Sequence, residues 1–271
     1  MPELPEVETT RRGLAPYVVG NTIIAVDIRE RRLRWPVPRG LSAKLLQQRI
    51  TRLERRGKYL LFRFAHGTMI LHLGMSGSLR IITGDQKPEK HDHLDIEFAS
   101  GIRLRFRDPR RFGSVLWTGN DPLTHSLLIH LGPEPFSEEF SGDYLYRKSR
   151  DRKQAIKTFI MDSRMVVGVG NIYASEALFH SGIRPRRPAG RISRQEYDRL
   201  VAAIREVLQA AIAAGGTTLR DFVSGEGSPG YFALELKVYD RKGEPCLNCG
   251  HPVKQSRIGQ RSTYYCAKCQ R

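Results

Sequence analysis

Ahead of Cys246 the chain contains no cysteine, so disulfides cannot organise the bulk of the fold. No apolar run reaches the roughly 18–20 residues that a membrane span needs. The N-terminus, Met1-Pro2-Glu3-Leu4-Pro5-Glu6, lacks a basic segment followed by an apolar one and does not read as a signal peptide. Acidic residues are scarce. Only 28 Asp plus Glu stand against 45 Lys plus Arg, leaving a net charge of +17. The excess is spread along the chain rather than held in one tail, and there is no internal repeat. These absences point to an intracellular protein that suits a polyanion, whether DNA, RNA or an anionic membrane surface. A merely basic protein, such as a ribosome-associated one, is the plain alternative. Hydrophobic residues make up 40% of 271 residues, enough for a core and for two lobes.

The cysteines are concentrated at the C-terminus. Cys246, Cys249, Cys266 and Cys269 follow the pattern Cys-x2-Cys-x16-Cys-x2-Cys. Each pair can turn two thiolates toward one centre, so the spacing predicts one tetrahedral structural zinc ion. Two disulfides are the competing reading. Between the pairs, Pro252–Tyr265 reads as a β-hairpin turning near Ile258-Gly259.

Hydrophobic periodicity divides the chain. Residues 4–14 predict a helix, with Leu4, Val7 and Leu14 on one face, Glu3, Glu6 and Glu8 early, and Arg11 and Arg12 late. Short β-type runs follow: Thr22–Arg29, Tyr59–Phe64, Thr68–Leu73, Ser78–Ile82, Leu94–Phe98, Ile102–Arg107 and Ser114–Trp117. A short helix near 41–49 interrupts them. Leu94–Phe98 and Ile102–Phe106 alternate with period two across Ala99-Ser100-Gly101, predicting a hairpin with one buried face. Gly132-Pro133-Glu134-Pro135 breaks both periodicities and marks a linker over 132–136. It separates an N-terminal domain over 1–131 from a helical domain over 137–236, with a finger over 237–271. Ser193-x-x-Glu196 forms a capping box ahead of a long helix that Gly215-Gly216 ends. Residues 224–230 read as a flexible loop. The predicted class is α+β: a β-sandwich with helices, then a helical lobe and a zinc hairpin.

Pro2-Glu3-Leu4-Pro5-Glu6-Val7-Glu8 resembles the N-terminus of the formamidopyrimidine-DNA glycosylase family, DNA glycosylase/AP lyases that include the endonuclease VIII type. Arg56-Gly57-Lys58-Tyr59, His72-Leu73-Gly74-Met75-Ser76-Gly77, Asp108-Pro109-Arg110-Arg111-Phe112-Gly113, Gly168-Val169-Gly170-Asn171-Ile172-Tyr173 and the finger resemble further family motifs in family order, so the likeness spans the chain. It implies a monomeric enzyme of the bacterial cytoplasm or nucleoid that acts on double-stranded damaged DNA. It also implies a helix–two-turn–helix motif in the second lobe, excision of oxidised purines, and strand cleavage by β,δ-elimination. The endonuclease VIII type, specific for oxidised pyrimidines, is the nearest alternative. A zinc-finger protein without catalysis is the more distant one.

Several residues acquire expected roles. On its own, Pro2 reads as a proline opening a helix. By resemblance, removal of Met1 makes its nitrogen a secondary amine that attacks sugar C1′. An α-amino group titrates near 7.7–8.0, so part of it is unprotonated at neutral pH. Glu3 is the adjacent general acid or base. The resemblance implies that Lys58 and Arg261 assist elimination, that His91, Arg152 and Asn171 contact phosphate or DNA, and that Met75, Arg110 and Phe112 fill the gap left by a flipped nucleotide. Met and Phe are apolar wedges, and Arg carries a donor fork for the orphaned base. A lid over the flipped base is implied for 217–232, where Arg220 replaces a family lysine. DNA affinity is expected to fall steeply with salt, by about 0.9 in log–log slope per neutralised phosphate. A slope shallower than about two, measured by titration in increasing NaCl, would show that the basic surface is not the binding face.

Overall fold

Leu4, Val7, Leu14 and Val18 line the buried side of helix α1 (Leu4–Val18). The computed structural model describes residues 2–215 and 236–271. Met1, the expected loop at 224–230 and the expected lid at 217–232 with Arg220 lie outside the described residues. Helix α1 opens in a reciprocal capping box. The Glu3 N–H donates to Glu6 Oε2 at 2.7 Å, while the Glu3 side chain accepts from the Glu6 N–H. The helix runs one turn beyond the expected end at residue 14. Pro16 removes one donor near the C-terminus, but Val18 is fully buried and the Val19 N–H still closes on the Ala15 carbonyl at 3.0 Å.

After α1 come β1 (Ile23–Ile28), α2 (Leu41–Leu45), β2 (Arg52–Arg56), β3 (Tyr59–Phe64), β4 (Gly67–His72), β5 (Ser78–Ile82), β6 (Asp92–Phe98), β7 (Arg103–Arg107) and β8 (Ser114–Thr118). They form two four-stranded antiparallel sheets, β1-β6-β7-β5 and β2-β3-β4-β8. Ile23, Ile96, Leu104 and Phe106 of one sheet and Leu60, Phe62, Met69 and Leu71 of the other share a single core with α1. Strand β2 has no counterpart among the predicted runs. It is an edge strand of four charged residues around one buried leucine, Leu53, so it carries no apolar alternation.

The β6–β7 hairpin forms as expected, but the prediction of one buried face needs correcting. The polar face is covered too. Asp95 is buried between Arg105 and Arg29, at 2.8 Å from each guanidinium. Burial would raise its carboxyl, but hydrogen bonds from Arg105 and Arg29 hold it below the usual range.

In the second unit, α3 (Gly142–Ser149), α4 (Ile156–Ile160), α5 (Asn171–His180) and α6 (Arg194–Gly215) surround a core of Phe140, Phe159, Leu178, Tyr197 and Leu208. Ser193 and Glu196 close the predicted capping box, with Ser193 N–H to Glu196 Oε2 at 2.9 Å and Glu196 N–H to Ser193 Oγ at 3.3 Å. Strands β9 (Lys254–Ile258) and β10 (Arg261–Tyr265) make the C-terminal hairpin. Its two turn residues, Gly259 and Gln260, both have positive φ, at 54° and 62°. That is the pattern of the turn which matches strand twist. No described helix is long and apolar enough to cross a membrane.

Glu8 fastens α1 to β2. Its carboxylate meets Arg11 and Arg12 at 2.8 Å and Arg55 at 3.1 Å. Burial would raise this carboxyl, but the guanidinium hydrogen bonds and charges outweigh burial and hold it at about 2. A depressed folded-state pKa stabilises the fold above the unfolded value and loses that contribution as pH falls. Glu8→Gln should therefore cost about 2 kcal/mol at neutral pH. The deficit should shrink as pH drops from about 4.3 toward 2. Chemical denaturation of both proteins across that range checks it, and a deficit independent of pH would contradict the ion-pair account.

Candidate active site and nucleic-acid interface

Pro2 is half-buried and lies immediately before the N-cap of α1. Glu3 is that N-cap, with only 2% of its surface exposed. The proline nitrogen thus stands at the positive end of a 15-residue helix, with two carboxylates, Glu3 and Glu6, at the same end.

Lys58 is half-buried in the two-residue turn between β2 and β3, which Gly57 enters at φ 56°. Its charge reaches His72 at the end of β4. Burial, then Lys58 and Arg34, push the His72 imidazole down to about 4, against an upward pull from Asp108. His72 is therefore neutral at physiological pH, and its Nδ1 accepts from the Gly74 N–H at 2.9 Å. The Tyr59 ring lies 4.7 Å from it, centroid to centroid. Arg34 is exposed, and its backbone N–H donates to the Gly113 carbonyl at 3.1 Å. Sequence reasoning passed over Arg34 because it lies in an arginine-rich loop where no single charge stands out.

The structure brings Met75, Arg110 and Phe112 onto two adjoining loops. The Arg110 guanidinium stacks 4.9 Å above the Phe112 ring, and both side chains are exposed. The fully buried Asp108 staples the loops together. Its Oδ1 accepts from Ser76 Oγ and its Oδ2 from the Gly113 N–H, each at 2.7 Å. Ser76 Oγ in turn accepts from the Arg110 N–H at 3.2 Å. His91 joins the same hub: its carbonyl accepts from the Asp108 N–H at 3.0 Å, and His93 Nε2 contacts the Asp108 carbonyl at 2.8 Å.

In the second unit, Asn171 is the first residue of α5, behind Gly168 at φ 86°. Its Nδ2 donates to the Ser262 carbonyl at 3.0 Å. Lys157 of α4 is fully buried and donates to the same carbonyl at 3.0 Å and to Thr263 Oγ1 at 2.9 Å. Arg261, one residue earlier, is exposed at the start of β10. Two helices thus grip the strand that carries it. Glu176 of α5 is also buried. Its carboxylate accepts from the N–H groups of Lys237, Val238 and Tyr239 at 2.8, 3.0 and 2.8 Å. Neither Lys157 nor Glu176 carried a sequence signal beyond being a charged residue within an apolar helical run. Arg152 is exposed in the turn after α3.

The four cysteine sulfurs lie within 4.8 Å of one another, with Cys249–Cys266 at 3.5 Å and Cys246–Cys269 at 3.9 Å. A tetrahedron with zinc–sulfur bonds of about 2.3 Å has edges near 3.8 Å, whereas a disulfide needs about 2.05 Å. The donors fit one zinc ion and leave the disulfide reading behind. The site is structural, since four thiolates leave no open position. With Phe179, Val238, Val253 and Tyr264 it forms the core of the finger.

The approach of the Met75 and Phe112 loops depends on Gly74. Its φ is 68°, and an added Cβ would overlap the Gly113 nitrogen and the Phe112 carbonyl carbon. Gly74→Ala should part the loops and weaken duplex binding at least about tenfold, with zinc content unchanged. Fluorescence titration tests this, and unchanged affinity would show that the loops need not touch.

Comparison with known proteins matches the arrangement along the whole chain. Residues 1–115 match the formamidopyrimidine-DNA glycosylase N-terminal domain, 131–223 the formamidopyrimidine-DNA glycosylase H2TH domain, and 243–271 a zinc finger found in FPG and IleRS. A formamidopyrimidine-DNA glycosylase of Stutzerimonas stutzeri is 59% identical over 271 residues, covering all of both chains. One of Syntrophotalea carbinolica is 58% identical over the same span. A crystal structure of the Lactococcus lactis enzyme with DNA containing a formamidopyrimidine lesion superposes with a TM-score of 0.89 at 34% identity, covering 99% of this chain and 100% of that one. The chain belongs to the formamidopyrimidine-DNA glycosylase family.

Proposed function

We infer that the protein is a DNA glycosylase of base excision repair that removes oxidised purines from damaged duplex DNA and then cleaves the strand. Full-length similarity to formamidopyrimidine-DNA glycosylases, at up to 59% identity among the relatives named above, carries this reading. The full-length relatives bear the purine-type name, which favours purine over pyrimidine lesions. The enzyme acts as a monomer in the bacterial cytoplasm or nucleoid.

With Met1 removed, the Pro2 nitrogen is the nucleophile. Its lone pair forms a bond to C1′ of the damaged nucleoside, and the C1′–base bond breaks with its electrons leaving on the base. The amine then loses its proton, and its lone pair opens the ring by breaking the C1′–O4′ bond as O4′ takes up a proton, which leaves an iminium ion linking Pro2 to the opened sugar. The positive end of α1 disfavours protonation of the amine and so supports attack. Glu3, adjacent and buried, exchanges protons with the sugar and departing base. The iminium withdraws electrons from C2′, so loss of a C2′ proton expels the 3′ phosphate. A second elimination expels the 5′ phosphate, with Lys58 and Arg261 offsetting phosphate charge. His91, Asn171 and Arg152 contact DNA. Met75 and Phe112 wedge into the stack, and Arg110 offers its donors to the orphaned base. The zinc ion keeps the finger rigid, and no chemical step passes through it.

The covalent intermediate gives the direct test. Borohydride added during turnover on 8-oxoguanine DNA should trap an adduct that maps to Pro2. A protein with a blocked N-terminus should still bind DNA but lose both base release and nicking. An adduct on a lysine, or normal excision by the blocked protein, would overturn the assignment.

A further inference from the structure

We propose that a cleft beside the zinc hairpin, apart from every residue assigned above, binds a phosphoryl group. The cleft has a volume of about 280 Å³. One wall is a face of the hairpin. Ser256 and Ile258 of β9 and Tyr265 of β10 share it, because alternate residues of a strand point the same way and cross-strand partners match. The other wall is the segment Arg184-Pro185-Arg186-Arg187 after α5. Main-chain bonds hold that segment in place: the Arg184 N–H donates to the Arg271 carbonyl at 2.9 Å, and the Ile156 N–H to the Arg187 carbonyl at 2.7 Å.

The donors of this cleft are unequally engaged. Arg187 is committed to Glu196 at 2.6 and 3.1 Å and to the Arg191 and Arg271 carbonyls. Arg186 makes one long contact, Nη2 to the Arg257 carbonyl at 3.4 Å, and no ion pair among the described residues. The Arg184 guanidinium makes no hydrogen bond or ion pair among the described residues and stands 5.8 Å over the Tyr265 ring. The Ser256 hydroxyl oxygen is buried and has no hydrogen-bond partner among the described residues. A buried hydroxyl without a partner is costly, so it calls for one. Among the described residues, no acidic side chain lines the cleft.

Arg184 and Arg186 line one wall of this space and Ser256 lines the other. A carboxylate presents its oxygens in one plane and in one direction. A phosphoryl group presents them around a tetrahedron, so it can meet both walls at once. Tyr265, Ile258 and Pro185 offer an apolar surface to the sugar or base it carries. Two sources supply this chemistry: a phosphodiester of bound DNA, or free phosphate and nucleotides. The DNA source rests on the glycosylase reading above, and the free source does not.

The test uses the full-length, zinc-loaded protein with Arg184→Ala and Ser256→Ala. Without phosphate, Ser256→Ala should melt at the same temperature or higher, since the hydroxyl it removes has no partner. In the first arm, inorganic phosphate is compared with NaCl at equal ionic strength. The wild type should gain thermal stability with phosphate, and each variant should need severalfold more phosphate for the same gain. In the second arm, salt titrations use a short abasic-site duplex and one longer by about 10 base pairs on each side. Arg184→Ala should lower the log–log slope by about 0.9 on the longer duplex and leave the short one unchanged. A loss in the first arm alone identifies free phosphate as the ligand, and a loss in the second identifies DNA. Variants that match the wild type in both arms overturn the site, as does phosphate stabilisation equal in all three proteins. Borohydride trapping on the short duplex should be the same in all three. Failure of trapping in the wild type would count against the glycosylase reading and leave the phosphate arm standing.

Discussion

A carboxylate taken out of water must be met by cations or hydrogen-bond donors, and this protein uses that constraint as its fastening. Glu8 joins α1 to β2 through Arg55 of the strand, with Arg11 and Arg12 of its own helix completing its shell of cations. Asp95 binds β6 to β7 and β1's neighbourhood through Arg105 and Arg29. Asp108 closes two loops on each other through a serine hydroxyl and a backbone amide. Glu176 collects three consecutive amides of the chain that leads into the finger. Asp108 and Glu176 are met by hydroxyl and amide donors rather than by arginines, so with 28 acids against 45 bases these two turn negative charge inward and leave cations facing outward. The basic surface that suits a polyanion is partly a consequence of how the interior is tied.

What could be read from the sequence follows the same division. Apolar periodicity revealed α1, α6 and the β3, β4, β6 and β7 strands, because each buries a repeating apolar face. Cysteine spacing revealed the metal site, because a tetrahedral S4 centre requires paired thiolates. Strand β2 was not legible, since an edge strand built on Leu53 and charged residues has no periodic signal. Arg34, Lys157 and Glu176 were equally hidden. Their importance comes from tertiary partners, the His72 imidazole for the Arg34 charge, the Ser262 carbonyl for Lys157 and the 237–239 amides for Glu176, which local sequence does not encode. The proposed roles of Pro2, Lys58 and Arg261 came through family resemblance rather than pattern.

The finger shows how a short hairpin holds one arginine with little core of its own. Zinc closes its base, the Gly259-Gln260 turn sets its register, and Lys157 with Asn171 pins the Ser262 carbonyl. Arg261 lies between the turn and that carbonyl, so its backbone is fixed on both sides while its side chain is exposed. Losing the metal would free the base, but the two helix-borne donors would still hold the middle of β10. The hairpin therefore has two anchors that act at different points along one strand.

At the N-terminus, structure and proposed chemistry fall on the same atoms. Read locally, Glu3 is a helix cap, and the structure makes it one. The catalytic proposal needs Glu3 as a proton carrier beside Pro2. These roles are compatible, because a carboxylate has two oxygens and the cap needs only one acceptor. Capping also orients the side chain and leaves Pro2 just outside the first turn, where its ring fits and its nitrogen is not part of a helical hydrogen bond. Glu6 completes the geometry by taking the Glu3 N–H. Without that acceptor the first turn would fray and the proline would lose its fixed position. On the proposed mechanism, the seven residues from Pro2 to Glu8 thus form one device: Pro2 to react, Glu3 to cap and to carry a proton, Glu6 to hold the cap, and Glu8 to lock the helix to the sheet.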